Sequence, residues 1–199
     1  MRINSLRKLA MTGSIKDKDH GFTRSGSGEL LSKDDPLFEA VGTLDELNGH
    51  IGLIISELDM EDSRRTLSLI QKKLSSIMSE LSLAPEKEAE DGHVPLAGKN
   101  TAEQKLKNPD AQTLRANITS LEEKIEHLKK ESNKITGFVQ PGKTKIGAYL
   151  HIARTVCRRA ERRIVSMRNY YEISDETLAY INMLSEYLFY LSCASEKEQ

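Results

Sequence analysis

Five stretches of the sequence carry apolar side chains every three to four residues over several turns, which is the pattern of amphipathic helices. They cover residues 36–58, 61–83, 109–133, 145–169 and 175–195. The stripe of the fourth stretch consists of Leu150, Ala153, Cys157, Ala160 and Ile164. Periodicity sustained over such lengths predicts an all-α protein in which the helices bury their apolar faces against one another.

Residues that favour helix starts stand where this interpretation needs them. Asp35 is a suitable N-cap for the first predicted helix, and Pro36 fits its first position. Asn108 precedes the third predicted helix, and Ser174 precedes the fifth. These positions support the helix boundaries independently of the apolar pattern.

Two segments lack helical periodicity. Residues 84–107 contain Gly, Pro and many charges but no aromatic residue, which predicts a mobile surface loop. Residues 12–33 are rich in Gly, Ser, Lys and Asp, and they form either a disordered tail or a ligand loop. The expected division is therefore an N-terminal loop over residues 1–35 and a helical domain over residues 36–199.

Composition excludes several classes of protein. The chain has 38% hydrophobic and 30% charged residues, no Trp, 12 Gly and 5 Pro, which disfavours a turn-rich β fold. No apolar run approaches the roughly 20 residues that span a bilayer, so we expect no membrane segment. A net charge of −1 does not suit a nucleic-acid polycation. Two isolated cysteines provide no disulfide framework and suit a reducing compartment.

The fourth predicted helix concentrates positive charge. Its residues 154–163 hold five arginines and one acid, Glu161. Arginines four residues apart repel one another on a helix, and Arg154, Arg158 and Arg162 form one such row. A solvated helix face is the plain alternative, but this density favours a small anionic ligand, and phosphate suits guanidinium groups best.

A phosphate-loop motif in the sequence is misleading. Residues 137–144 satisfy G-x-x-x-x-G-K-T. That loop works where it joins a buried parallel strand to a helix, but residues 129–134 are polar and do not resemble a core strand. We therefore attribute the match to chance, although amides and a lysine before a helix still favour an anion.

A few polar residues remain candidates for the site. Asp45 is a suitable countercharge for one arginine. Asn48 lies on the apolar side of the first helix and needs a partner, while Asn182 is either a satisfied core amide or a ligand contact. The five histidines and two cysteines show no metal-ligand spacing, so no dedicated metal site is expected.

Four blocks of sequence, taken in order, carry a family resemblance. They read SKDDP at 32–36 with EAVGTLDELN at 39–48, FVQPG at 138–142, LHIARTVCRRAER at 150–162 and YINMLSEYLF at 180–189. The chain resembles the PduO-type ATP:cob(I)alamin adenosyltransferases, or corrinoid adenosyltransferases. The resemblance implies a ferritin-like, up-down five-helix bundle that forms a homotrimer, with ATP bound at subunit boundaries.

The implied reaction transfers the 5′-deoxyadenosyl group of ATP to cob(I)alamin and gives adenosylcobalamin and triphosphate, with Mg²⁺ present. By resemblance, Arg154 pairs with Asp45 of a neighbouring subunit, and Phe138 lies against the corrin and displaces the lower axial ligand. The resemblance assigns ATP binding to Lys16, Asp19, Gly21, Thr23, Lys33, Arg158, Glu161, Arg162 and Asn182.

The chain departs from the family pattern at five positions: Ile15, Lys18, Lys143, Met183 and Cys193. They leave open an alternative in which a degenerate relative binds ATP or adenosylcobalamin without catalysis. Implied partners are a reductase and an adenosylcobalamin-dependent enzyme, but no nucleic acid. The expected location is the cytoplasm, or the mitochondrial matrix in a eukaryote.

Overall fold

A computed structural model of the chain describes residues 21–87, 111–131 and 139–196. Within them lie five helices: α1 (Pro36–Glu57), α2 (Glu61–Ser82), α3 (Ala111–Glu131), α4 (Lys145–Met167) and α5 (Asp175–Ser195). The predicted all-α bundle of five helices is confirmed. For α1, α2, α4 and α5 the predicted ends agree with the observed ends to within two residues.

The helices pack in the order α2, α1, α4, α5 and α3. Ion pairs at both ends show that α1 and α4 run antiparallel. Lys145 Nζ, at the start of α4, lies 2.7 Å from Glu57 Oε2 at the end of α1, and Arg163 Nη2 lies 3.3 Å from Glu39 Oε2 at the opposite end. Helix α4 is antiparallel to α5 as well, since His151 near its start contacts Ser192 near the end of α5. This up-and-down arrangement places α4 between α1 and α5.

The apolar stripe of α4 forms part of the centre of the bundle. All five of its predicted residues, from Leu150 to Ile164, are fully buried. Fully burying a Leu or Ile side chain contributes about 1.5–3 kcal/mol, so the stripe is a main source of stability for α4. The opposite face of α4 carries its charged residues.

A short hairpin precedes α1, where the sequence predicted irregular structure. Strand β1 (Phe22–Arg24) pairs antiparallel with β2 (Leu30–Ser32), with Thr23 opposite Leu31. Strands of three residues are too short to show an alternating pattern, so the sequence analysis missed them. In the turn, Gly28 adopts a φ of 86°, which glycine tolerates best.

Asp35 joins the hairpin to the bundle. Its Oδ1 accepts hydrogen bonds from Leu37 N at 2.9 Å and from Tyr171 Oη at 3.0 Å. The first bond confirms Asp35 as the N-cap of α1. The second ties the segment after α4 to the start of α1, and burial of Tyr171 together with this bond raises its pKa.

The polypeptide immediately after α2 is also held in place. Lys87 N donates to Tyr170 O at 2.8 Å, and Glu172 N donates to Pro85 O at 3.0 Å. These bonds fix the beginning of the predicted 84–107 loop, and the rest of that prediction lies outside the described residues. Searching the described ranges for a membrane-spanning helix finds none that is long and apolar enough.

The remaining N-caps clarify the apparent phosphate loop. Thr144 Oγ1 accepts a hydrogen bond from Gly147 N at 2.9 Å and caps α4. The strands in the described part of the chain form a single antiparallel pair far upstream in sequence, so the motif lacks its parallel-strand context there. Ser174 caps α5 as predicted, while Asn108 lies outside the described residues.

Candidate active site

The five arginines of α4 divide into two groups by the helix that they face. Arg159 forms an ion pair with Glu46, and Arg163 forms one with Glu39. Both carboxylates belong to α1, so this pair of arginines helps dock α4 onto α1. These contacts offset part of the arginine repulsion within the chain, whereas the sequence analysis favoured an anionic ligand and kept a solvated helix face as the alternative.

The other three arginines face away from those carboxylates. Arg158 and Arg162 are exposed, and Arg154 is half-buried. Within the described ranges none of the three forms an ion pair, and Arg162 Nη1 donates only to the backbone oxygen of Arg158, at 3.1 Å. The predicted row therefore forms a strip of guanidinium groups that have no ion-pair partner in the part of the chain that the structure describes.

Asn182 lies on α5, the helix packed against this row. Cys157 Sγ donates to Ile181 O at 3.3 Å, which places this turn of α5 beside the middle of the row. The Asn182 side chain is exposed, so its interpretation as a satisfied core amide is wrong. Glu161 is half-buried on the same middle turn of α4. The groove between α4 and α5 thus combines guanidinium groups, a carboxylate and an amide.

Asp45 lies on the exposed surface of α1 and forms no ion pair among the residues that the structure describes. Its predicted pairing with Arg154 is thus not made within one chain. Asn48, one turn further along, has a buried Oδ1 without a partner in the described structure. Its backbone oxygen accepts a hydrogen bond from Gln71 Nε2 at 3.1 Å. Asn48 is therefore half-buried rather than fully buried as predicted, and its buried amide oxygen has no partner among the described residues.

The hairpin brings together three predicted ATP-binding residues. Lys33 N donates to Gly21 O at 2.8 Å, and Thr23 lies on β1 next to them. Gly21 has a φ of 79°, which disfavours any residue with a side chain. The hairpin leads directly into α1, whose first turns contact Arg163 through Glu39. It therefore lies at the end of the bundle where the arginine row finishes with Arg162.

Several predicted site residues lie outside the described ranges, namely Lys16, Asp19 and Phe138. The same is true of the departures at positions 15 and 18. Of the remaining departures, Lys143 is exposed before α4, Met183 is half-buried and Cys193 is buried on α5. None of these three positions interrupts the arginine row.

The structure adds Phe189 and His151, which the sequence analysis did not single out. The Arg154 guanidinium carbon lies 5.7 Å from the centre of the Phe189 ring, which is a cation–π contact. Arg154 Nε is buried without an acceptor in the described structure. His151 lies one turn before Arg154 on the same side of α4. That spacing is the only sequence signal that could have identified it.

Neither the cysteines nor the histidines form a metal or nucleophile site in the described residues. Both cysteines are buried and neither forms a disulfide, and burial raises the pKa of the Cys157 thiol, so a reactive thiolate at Cys157 is disfavoured. The described ranges contain no group of three or more His, Cys, Asp or Glu side chains that could hold a metal ion. A cleft of about 560 Å³ lies elsewhere, between α2, α3 and α5.

The geometry suits binding and positioning of a polyanion. Guanidinium groups donate bidentate hydrogen bonds to phosphate oxygens, and none of the three in the groove forms an ion pair within the described residues. An exposed amide and a half-buried carboxylate supply the polar contacts that orient a nucleotide. The hairpin adds Lys33 and main-chain amides at one end of the groove.

Comparison with known proteins gives consistent results. The profile described as "Cobalamin adenosyltransferase" matches residues 14–195. Corrinoid adenosyltransferase MMAB of Bos taurus is 35% identical over 181 residues, covering 89% of this chain and 68% of its own. The corrinoid adenosyltransferase of Bacillus subtilis is 33% identical over 166 residues, covering 81% and 75% of the two chains. The cobalamin adenosyltransferase of Cupriavidus metallidurans is 32% identical over 190 residues, covering 95% and 88%.

A solved structure also shares the fold. It is a variant PduO-type ATP:corrinoid adenosyltransferase from Lactobacillus reuteri complexed with cobalamin and ATP. Its TM-score is 0.71 at 30% sequence identity, and the alignment covers 92% of this chain and 90% of that one. Profile, relatives and structure agree over nearly the whole length of the chain, which therefore belongs to the cobalamin adenosyltransferase family.

Proposed function

We propose that this protein transfers the 5′-deoxyadenosyl group of ATP to cob(I)alamin, giving adenosylcobalamin and inorganic triphosphate. The observation that carries the proposal is the strip of three arginines in the α4–α5 groove, which has no acid partner within the described chain. Family membership supplies the two substrates, because the structure from Lactobacillus reuteri was obtained with cobalamin and ATP.

The chemistry requires positioning more than proton transfer. The cobalt of cob(I)alamin supplies the electron pair that forms the new bond to the 5′ carbon of ATP. The bond from that carbon to the triphosphate oxygen breaks, and triphosphate leaves with its electron pair. No side-chain base is needed, so the contribution of the protein is alignment of the two substrates and stabilisation of the leaving anion.

We assign the site residues accordingly. Arg158 and Arg162 hold the triphosphate, and Asn182 and Glu161 orient the nucleotide. Lys33 with the hairpin encloses the phosphates from the end of the bundle, and the proposal extends to Lys16 and Asp19. Phe138 is proposed to meet the corrin. The exposure of Arg158, Arg162 and Asn182 on facing helices supports the first two assignments.

A second copy of the chain completes the site in this proposal, through a pair between Asp45 and Arg154 across a trimer interface. Two features of the α1 surface support an interface. Gly42 and Gly49 flank Asp45 on the exposed face, and a side chain at either position would meet no atom within 4 Å. Glycine within a helix costs roughly 1 kcal/mol relative to alanine, which close packing against another subunit would offset. Leu53 of α1 and Ile152 of α4 are also 41% and 45% exposed.

Mg²⁺ is proposed to act with ATP rather than at a preformed protein site. Magnesium usually binds through substrate phosphates with one or two carboxylates, and it keeps several waters. Glu161 is the carboxylate that fits, because it lies half-buried among the arginines of the row. Bound Mg²⁺ would neutralise part of the charge that develops on the leaving triphosphate.

Turnover tests the proposal directly. Purified protein is mixed with ATP, Mg²⁺ and fully reduced cobalamin, and the corrin absorbance is followed. We expect adenosylcobalamin and triphosphate in equal amounts. Binding of ATP by calorimetry without turnover would instead support the non-catalytic alternative, and absence of both would reject the proposal.

Mixing two variants tests the subunit boundary. We expect Asp45→Ala and Arg154→Ala to be weakly active alone. If the two residues meet across an interface, mixed trimers contain some sites in which both residues are intact, about a quarter of them for random assembly. Recovery of activity on mixing supports the shared site. Activity that stays at the level of the single variants, in trimers shown to exchange subunits, contradicts it.

The remaining proposals concern cellular context. A reductase must supply the cobalt in its reduced state, and an adenosylcobalamin-dependent enzyme would use the product. Two buried cysteines outside any disulfide suit a reducing compartment, for which we propose the bacterial cytoplasm or, in a eukaryote, the mitochondrial matrix.

A further inference from the structure

Arg154 differs from the other arginines of the row in its immediate surroundings. Its guanidinium carbon lies 5.7 Å from the centre of the Phe189 ring, and its Nε is buried without an acceptor in the described structure. Arg158 and Arg162 are exposed instead. A buried guanidinium N–H without a partner costs free energy, so other contacts must hold Arg154 in this position.

Phe189 is itself held by a hydrogen-bonded pair. Ser192 Oγ donates to the backbone oxygen of Phe189 at 2.6 Å, and it lies 3.3 Å from His151 Nε2. Because the single hydroxyl proton of Ser192 is used in the first contact, we assign the second as a bond donated by His151 Nε2–H. The His151 ring also packs edge-on against Phe189, with 6.4 Å between ring centres.

This arrangement keeps a second positive charge away from Arg154. His151 is almost fully buried, and burial lowers its pKa; Arg154 lowers it further, while Glu196 acts in the opposite direction. With Nε2 protonated towards Ser192, the buried Nδ1 remains a neutral lone pair. A neutral imidazole can therefore support Phe189 without repelling the guanidinium.

We propose that Phe189 and His151 are positioning residues, which hold the Arg154 guanidinium at the α4–α5 groove and affect the reaction only through Arg154. The inference rests on the proposed function. It extends that function to two residues that we assign no contact with the triphosphate of ATP or with Asp45, the proposed acid partner of Arg154. An arginine side chain loses about 2 kcal/mol of rotamer entropy when it is fixed, and a preformed aromatic support reduces the loss that remains at binding.

A double-mutant cycle tests the inference in the full chain. The variants are Phe189→Leu, Arg154→Ala and the combination of the two. We expect Phe189→Leu to lower kcat/KM for ATP by about 5- to 30-fold, which is the range of a partly desolvated cation–π contact. In the double variant, Phe189→Leu should lower kcat/KM almost no further, because the arginine through which Phe189 acts is already absent.

Three further variants separate positioning from folding. Phe189→Tyr retains the ring and should restore kcat/KM to within about twofold of the unmodified chain. Tyr170→Leu removes an exposed aromatic ring outside the groove and serves as the matched control. His151→Leu, alone and combined with Arg154→Ala, repeats the cycle if Phe189→Leu does not fold.

The outcomes are distinct. Losses that add in the double variant, or a Phe189→Leu protein as active as the unmodified chain, overturn the inference. If the unmodified chain shows no turnover, the proposed function fails, and the same cycle is then measured on ATP affinity by calorimetry. Non-additive losses of affinity still support the positioning role, and additive ones reject it.

Discussion

Arg158 and Arg159 are adjacent in the sequence but face different surroundings, so replacing each by alanine separates ligand binding from docking of the helices. Arg158 is exposed in the groove, while Arg159 pairs with Glu46 of α1. Both substitutions remove one guanidinium from the same helix. Any difference between them therefore reports what each side chain contacts rather than the net charge of the protein.

The structure sets the expected magnitudes. Arg158→Ala removes no ion pair of the described chain, so the free energy of unfolding should change by less than about 0.5 kcal/mol. Loss of a charge-assisted hydrogen bond to the departing triphosphate costs about 1.5–3 kcal/mol, which corresponds to a decrease in kcat/KM of roughly 10- to 150-fold. Arg159→Ala loses an exposed ion pair worth about 0.2–1 kcal/mol, a decrease in Tm of at most about 4 °C.

Two assays decide the matter. Steady-state adenosylation at saturating cob(I)alamin gives kcat/KM for ATP, and thermal unfolding gives Tm. We expect Arg158→Ala to show this roughly 10- to 150-fold lower kcat/KM at an almost unchanged Tm, and Arg159→Ala to be active within about twofold but slightly less stable. Equal loss of activity in both variants at unchanged Tm would refute the division of the arginines into a ligand row and a docking pair.

Three other substitutions probe the framework around the site. Asp35→Ala removes the N-cap of α1 and the acceptor of Tyr171, so it should cost about 1–3 kcal/mol in denaturant unfolding, whereas Asp35→Asn should lose much less. Gly147→Ala would place a Cβ 2.6 Å from Glu196 Oε1 and 2.9 Å from Oγ1 of Thr144, the N-cap of α4, so we expect a loss of about 1–3 kcal/mol in the free energy of unfolding. Glu196→Ala should relieve only the part of this loss that comes from Glu196, and a loss unchanged by the second substitution contradicts this reasoning. Because burial lowers the pKa of His151 from 6.5, the unfolded chain binds a proton that the folded chain does not, so stability should fall as the pH decreases below about 6.5. The dependence should be weaker in His151→Leu, and identical pH profiles would exclude His151 as the source.

The predictions that succeeded depended on local patterns. A helical period of apolar residues and capping residues such as Asp35 and Ser174 act within a few residues of one another, so α1 to α5 could be placed without tertiary information. The hairpin was missed for the converse reason. Its strands of three residues are held by pairing with each other, and the Gly26 backbone packs against Ser82 at the end of α2.

The arginine row shows where sequence information ends. The four-residue spacing of Arg154, Arg158 and Arg162 by itself indicated an anion site, and the resemblance to corrinoid adenosyltransferases identified the anion as ATP. The sequence could not show that Glu39 and Glu46, more than a hundred positions away, pair with the other two arginines, Arg163 and Arg159. That division depends on the rotation of α4 against α1, which packing of the whole core determines.

The surroundings of Arg154 are likewise a tertiary property. Phe189 contacts Arg154, and Ser192 contacts the neighbouring His151, because α5 runs antiparallel to α4. The buried Nε of Arg154 without an acceptor becomes visible only when burial is known. Local spacing thus determined which side chains share a face of one helix. Packing between helices decided which of those side chains form ion pairs, which contact an aromatic ring and which remain available for a ligand. The sequence could not show this, because long-range electrostatic and aromatic contacts have no periodic pattern along the chain.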